Sequence, residues 1–205
     1  MSSMSATSPV HLSSDDLLVG RARRGDLSAF GELVERHREV VYRVSARMVG
    51  VDEAEDVTQD AFLRAFHRLD RFRGESPFRS WLLRIAHNAA LDALDRRRRD
   101  PVASDERGPD HDAHVEARAS ADRTPADELE ITERRQRLET KLEGLRPSHR
   151  AVLVLRDLEG LAYEEIAELT EMPLGSVKAR LHRARAELIE ILRTNTYDWE
   201  LPDER

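Results

Sequence analysis

Apolar residues return at helical spacing through two long stretches of this chain, separated by one stretch where they nearly vanish. The first block opens on Ser14 or Asp15 as a cap, and its strongest period, Phe30, Leu33, Val34, His37, Val41, Val44 and Met48, predicts one long amphipathic helix. After Gly50, the run VDEAEDVTQDAFLRAFHRLDRF puts Val57, Ala61, Phe62, Ala65, Phe66 and Leu69 on a buried stripe. Glu53, Asp56, Gln59, Asp60 and Arg64 fall outside it. Gly74 and Pro77 then punctuate a loop, and FRSWLLRIAHNAALDALDRRRR resumes the helical period at Phe78, Trp81, Leu82, Ile85, Ala89 and Leu94. Arg79, Arg84, His87, Asn88 and the run Arg96 to Arg99 lie off that stripe.

The second block ends in a unit of a different kind. Residues 160–192, GLAYEEIAELTEMPLGSVKARLHRARAELIEIL, read as two helices joined by a tight turn at Met172-Pro173. Val177, Leu181, Ala184, Leu188 and Ile191 fit one helical face. Lys178, Arg180, His182, Arg183 and Arg185 lie away from it, where a helix-turn-helix presents reading groups to the major groove. The competing reading is a helical hairpin whose arginines are only solvated.

Between the blocks, DPVASDERGPDHDAHVEARASADRTPADE holds three prolines and two isolated valines, too little apolar surface for a core. The pattern therefore predicts an all-α protein: a tail at 1–14, a helical domain at 15–99, a flexible acidic linker at 100–130, a helix-turn-helix domain at 131–194, and an acidic tail at 195–205 too short to form a domain.

Charge changes the picture only when divided along the chain. The net charge of −7 looks unsuited to nucleic acid. Residues 15–99 carry 17 basic against 15 acidic side chains and residues 131–194 carry 12 against 11, whereas residues 100–130 carry 3 against 10. The acid sits in the connector and tail, and residues 174–193 are locally +3. Local charge is what a phosphate feels, because screening sets in over about 8 to 10 Å. An aromatic content of 5% favours helix packing over sandwiches. With no cysteine, disulfides, thiolate metal sites and cysteine nucleophiles are excluded. No run reaches membrane-spanning length and the N-terminus resembles no export signal, so a cytoplasmic protein is expected.

Two surfaces invite partners. The acids of the DEAEDVTQDAF helix either complement its dipole or form a docking face for a basic protein. The loop RFRGESPF beside a basic helix suits capture of unstacked bases, with Phe72 as the stacking candidate and Phe78 and Trp81 assigned to the core.

In order, DEAEDVTQDAF, FRGESPFRSWLLRIAHNAALDALDRRRR and LEGLRPSHRAVLVLRDLEGLAYEEIAELTEMPLGSVKARLHRAR resemble bacterial sigma factors of the extracytoplasmic-function group. The likeness spans about 15–192. It implies that Glu53, Asp56, Gln59 and Asp60 dock on the clamp helices of the largest catalytic subunit of core RNA polymerase. It implies that Phe72, Arg73, Gly74, Glu75 and Ser76 hold a flipped base of the promoter minus-10 element, with Arg84, His87, Asn88 and Arg96 counted on the same DNA face. Ser176, Lys178, Ala179, Arg180, His182 and Arg183 would read minus-35 DNA, while the C-terminal domain meets the polymerase flap. The connector would thread the polymerase, and an anti-sigma factor would restrain the whole.

Two positions depart from the pattern. Glu171 stands where many relatives have glycine, at a cost on the order of 1 kcal/mol if a positive φ is kept. Asp92 stands where an amide would suit DNA better. The alternative function is a helix-turn-helix regulator of duplex DNA that is not a polymerase subunit, but the first block lacks the alternating strands and helices of a sensory domain. An enzyme is not expected, since neither HExxH-type spacing nor a phosphate-binding glycine loop is present, and neither metal nor cofactor is called for.

Overall fold

The computed structural model describes residues 14–99 and 137–194; the expectations for the N-terminal tail, the connector and the acidic tail lie outside the described residues. The first block contains α1 (Ser14–Arg23), α2 (Leu27–Val49), α3 (Val51–Arg68), a 3-10 turn at Leu69–Arg71, and α4 (Phe78–Arg99). The second contains α5 (137–143), α6 (Pro147–Leu153) running into a π turn at Val154–Leu158, α7 (Tyr163–Thr170) and α8 (Leu174–Thr194). Among the described residues there is no strand.

Helix α2 starts where Asp26 accepts a bond from the backbone N–H of Ala29 at 3.2 Å. The Ser28 hydroxyl, Arg21 and that N–H together hold the Asp26 carboxyl down to about 2. The helix stops at Gly50, whose φ of +93° suits glycine and whose N–H reaches Ala46 O at 2.9 Å. Leu33, His37, Val41, Val44 and Met48 are buried as the period predicts. On α3, Val57, Ala61, Phe62 and Ala65 are buried too. Phe66 is not: it is 40% exposed, leaning on the ring of Phe30 near the start of α2 at 4.9 Å and on that of its α3 neighbour His67 at 6.0 Å.

Helix α4 is buried on more than one stripe, because α2, α3 and α7 all pack against it. Ala86, Ala89, Ala90 and Ala93 let those neighbours approach closely, and Leu82 and Leu83 fill the centre at 0% exposure. Truncating either leucine would cost about 2 to 5 kcal/mol.

The two helical domains do not stand apart. Their buried side chains form one continuous cluster, with α6 and the π turn on α2 and α7 on α4. Arg150, 4% exposed, reaches across to donate to the carbonyl of Met48 at the end of α2. Burial depresses its pKa, and carbonyls rather than a carboxylate receive its hydrogen bonds.

Candidate nucleic-acid and partner interfaces

The acidic face of α3 is brought against the basic end of α4. Asp56 and Gln59 are exposed and Glu53 and Asp60 half-buried, so all four reach the surface. Across an open groove stand Arg96, Arg97 and Arg99. Arg97 pairs with Glu53 at 3.5 Å, and Arg64 pairs with Asp60 at 2.8 Å. The same guanidinium reaches Asp92 at 2.6 Å, so the acid that departs from the family pattern braces α4 against α3. Leu63, 61% exposed, continues the face one turn beyond Asp60 beside Phe66. The sequence reading missed Leu63, although an apolar residue outside the buried stripe was its signal.

The loop before α4 keeps Arg73, Gly74 and Glu75 exposed and Ser76 half-buried. Gly74 takes a φ of +73°, and Arg73 and Glu75 lie 3.8 Å apart. Phe72 does not serve as an exposed stacking platform. The 3-10 turn sends it inward, with its N–H bonded to Leu69 O at 3.1 Å, and it is 5% exposed. Its ring meets Phe78 at 5.7 Å and Trp81 at 5.3 Å, so it anchors the loop instead. His87 is a second correction: it is 6% exposed, because α4 is covered on several sides. Burial holds its pKa below the usual value and favours the neutral ring, leaving no cation for a phosphate. Asn88 and Arg96 remain exposed, and Arg84 is half-buried in an ion pair with Glu171.

In the second domain, Glu165 anchors the start of α7 by accepting the Ala162 N–H at 2.8 Å. Ile166 and Leu169 are buried. The turn closes at Glu171, which adopts φ 54° and ψ 34°, and the Met172 N–H bonds Ala167 O at 3.0 Å. This is the left-handed helix end that glycine favours, kept here with a glutamate. Beyond Pro173, α8 buries Val177, Leu181 and Ala184 and leaves Leu188 and Ile191 half-buried. Ser176, Lys178, Ala179, His182 and Arg183 are exposed, with Arg180 half-buried. Lys178 Nζ sits 5.7 Å from the centre of the Tyr163 ring, while Asp157 grips Arg185 at 2.6 and 2.9 Å. Arg185 is thereby tied to the domain rather than to the reading face.

Two arrangements therefore share one chain: an acidic and apolar face on α3, and two basic helices, α4 and α8, whose polar groups point outward. The sequence matches Sigma-70 region 2 over residues 33–100 and Sigma-70, region 4 over residues 135–188. It is 37% identical over 172 residues to the ECF RNA polymerase sigma-E factor of Escherichia coli K12, covering 83% of this chain and 90% of that one. The sigma-E factor of Haemophilus influenzae is 37% identical over 179 residues, covering 86% and 93%. Among solved structures, CnrH in complex with the cytosolic domain of CnrY superposes with a TM-score of 0.62 at 28% identity, covering 89% of this chain and 99% of that one. The sigma factor RpoE of Bartonella quintana, solved with the anti-sigma factor NepR, shares the fold with a TM-score of 0.60 at 24% identity, covering 81% and 98%.

The chain belongs to the extracytoplasmic-function family of RNA polymerase sigma factors. It is an alternative sigma factor that directs transcription initiation through core RNA polymerase and promoter DNA, in a family of initiation factors rather than enzymes. Among the described residues no helix is long and apolar enough to cross a membrane.

Proposed function

We propose a division of labour among three helices. Helix α3 docks on the polymerase clamp through Glu53, Asp56, Gln59 and Asp60, with Leu63 and Phe66 as apolar anchors. The loop Arg73–Ser76 and Asn88, with Arg84 and Arg96 on the backbone, hold the opened minus-10 strand. Ser176, Lys178, Ala179, Arg180, His182 and Arg183 on α8 read minus-35 DNA. The protein performs this in the cytoplasm and carries no catalytic activity of its own.

The observation that carries the reading is the pattern on α8. Five of its six nominated residues are exposed on the side opposite Val177, Leu181 and Ala184, as a reading helix requires. The acidic α3 face argues against a free-standing regulator, because a protein that only binds duplex DNA gains nothing from carboxylates beside its basic surface. An anti-sigma factor is the expected restraint, supported by the complex of the related fold with NepR and by the exposed Leu63, Phe66 and Ile189. The test is reconstitution: core polymerase plus this chain initiates at discrete sites on genomic fragments that core alone ignores. Failure to associate with core, together with specific binding of the free chain to duplex DNA, would favour the regulator.

A further inference from the structure

The last residue of α1 reaches the loop before α4. The guanidinium of Arg23 donates to the carbonyl of Asp70 at 3.1 Å and to that of Phe72 at 3.4 Å. Its Nε lies 3.8 Å from the Asp70 carboxylate. Both carbonyls belong to the end of the 3-10 turn that follows α3, where the last carbonyls of a helix have no partner along the chain. A cation there also meets the negative end of the helix dipole. One guanidinium thus caps the turn from 47 and 49 residues away in sequence.

The arm that carries Arg23 is itself fixed. Leu18, Val19 and Ala22 are buried, and α1 packs along α2. Arg21 grips Asp26 at 2.7 Å across the turn between the two helices, and at the other end of α1 Asp15 meets His37 at 2.8 Å. The loop is held only at its stems. The buried ring of Phe72 anchors the first, and at the second the N–H groups of Ser80 and Trp81 donate to the Pro77 carbonyl at 3.0 and 3.2 Å. Between them no backbone hydrogen bond joins residues 73–76 to another described residue. The path of the loop is therefore set where it leaves the 3-10 turn, and Arg23 is the polar tie at that point.

We propose that Arg23 is a positioning residue for minus-10 recognition: by tying the carbonyls of Asp70 and Phe72 to α1, it fixes the direction in which Arg73–Ser76 leave the turn and so the shape of the site that holds the flipped base. The inference rests on the assignment of that loop to the minus-10 strand. A half-exposed arginine on a DNA-binding protein is ordinarily a phosphate contact. Here two backbone acceptors and a carboxylate take the guanidinium instead, so Arg23 acts through the loop.

Because the chain has no cysteine, a nitroxide at Glu75→Cys reports the loop in the full chain without DNA. Arg23→Met keeps the apolar stem and removes the donors. Its side chain is 43% exposed, so the helical signal and the thermal transition should stay near those of the parent. The label should become more mobile. Holoenzyme is then bound to a promoter fragment that the parent holoenzyme selects from genomic DNA, premelted by mismatch through the minus-10 segment, with each base placed in turn at every non-template position. Arg23→Met should reduce the preference for the best base over the worst at the captured position about fivefold, the worth of one net hydrogen bond, and leave the salt slope unchanged. If the methionine variant melts early, Arg23→Lys, which trades the fork for a single donor, should show the same changes in smaller degree. The triple variant Arg73→Ala, Glu75→Ala, Ser76→Ala tests the loop itself and should flatten the preference.

Unchanged label mobility in the Arg23 variants overturns the tie. Greater mobility with an intact base preference, while the triple variant loses it, overturns the role in recognition. A salt slope reduced by about one with the preference intact makes Arg23 a phosphate contact and overturns the proposal as well. An intact preference in the triple variant is a failure of the loop assignment: it removes Arg23 from base choice, while the label still reports whether the tie exists.

Discussion

Arg64 on α3 lies 2.6 Å from Asp92 on α4, and its other terminal nitrogen lies 2.8 Å from Asp60. One guanidinium therefore links the acid nominated for polymerase docking to the helix nominated for promoter melting. Both Arg64 hydrogen bonds raise its pKa, that to Asp92 foremost. Asp92, which in sequence looks like a poor DNA contact, acts as a strut that fixes α4 against the docking helix.

Reversing Asp60 to Arg should weaken binding to core polymerase by about 1 to 3 kcal/mol if the charge is paired at the interface. The pair lost within the chain is partly exposed, so the fold itself should lose no more than about 1 kcal/mol. Competition binding at moderate salt checks this. Unchanged affinity with an unchanged circular dichroism spectrum counts against the α3 surface.

Phe72 and Asn88 should now separate. Phe72→Ala removes a buried ring from the cluster with Phe78 and Trp81 and should destabilise the protein by about 3 to 5 kcal/mol, seen in thermal melts. Asn88→Ala should leave the melting temperature alone and depress strand separation, with activity recovered on a premelted promoter bubble. If Phe72→Ala is stable and fails only at duplex opening, the burial argument is wrong and the stacking role returns.

Most of the helical architecture was legible because period and burial agree along α2, α3 and α8. Val177, Leu181 and Ala184 fall where spacing alone puts them. Phe72, Phe66 and His87 were misread for one reason. A stripe on a single helix says nothing about what covers its other sides: the 3-10 turn folds Phe72 inward, α4 is enclosed around His87, and the start of α2 leaves Phe66 half open. The docking of one domain on the other was illegible as well, since Glu159 and the arginines that pair with it, Arg43, Arg47 and Arg79, are 80 to 116 residues apart. The turn at Glu171 kept the left-handed geometry that the missing glycine put in question.

Lys178 and Arg183 should respond differently to salt. They lie five residues apart on α8 and project about 140 degrees from each other. Arg183→Ala should cost about 1 to 3 kcal/mol on the preferred minus-35 sequence and little on scrambled DNA. Lys178→Ala should weaken all sequences alike and reduce the salt slope by about one. Holoenzyme binding across a salt series distinguishes them, and indifference of both slope and preference removes α8 as the reader.

Stability should fall as the solution is acidified through the histidine range. The buried His87 has a folded pKa below its ordinary value of about 6.5, so the unfolded chain takes up its proton first. Its contribution is present above that value and is lost as pH falls below it. Denaturant midpoints from pH 7.5 to pH 5 should therefore decline, and less steeply in His87→Gln. An identical slope in that variant would show that His87 does not carry the dependence.

The division of labour between the domains is tested most directly by cutting DNA from chosen positions. Because the chain has no cysteine, an iron chelate tethered before assembly to Ser76→Cys or to Ser176→Cys reports one place each. In holoenzyme on a promoter, cleavage from position 76 should fall in the minus-10 segment and cleavage from position 176 in the minus-35 segment. Cuts from both positions in the same segment, or promoter cleavage from neither while the chain remains bound to core polymerase, would contradict the account.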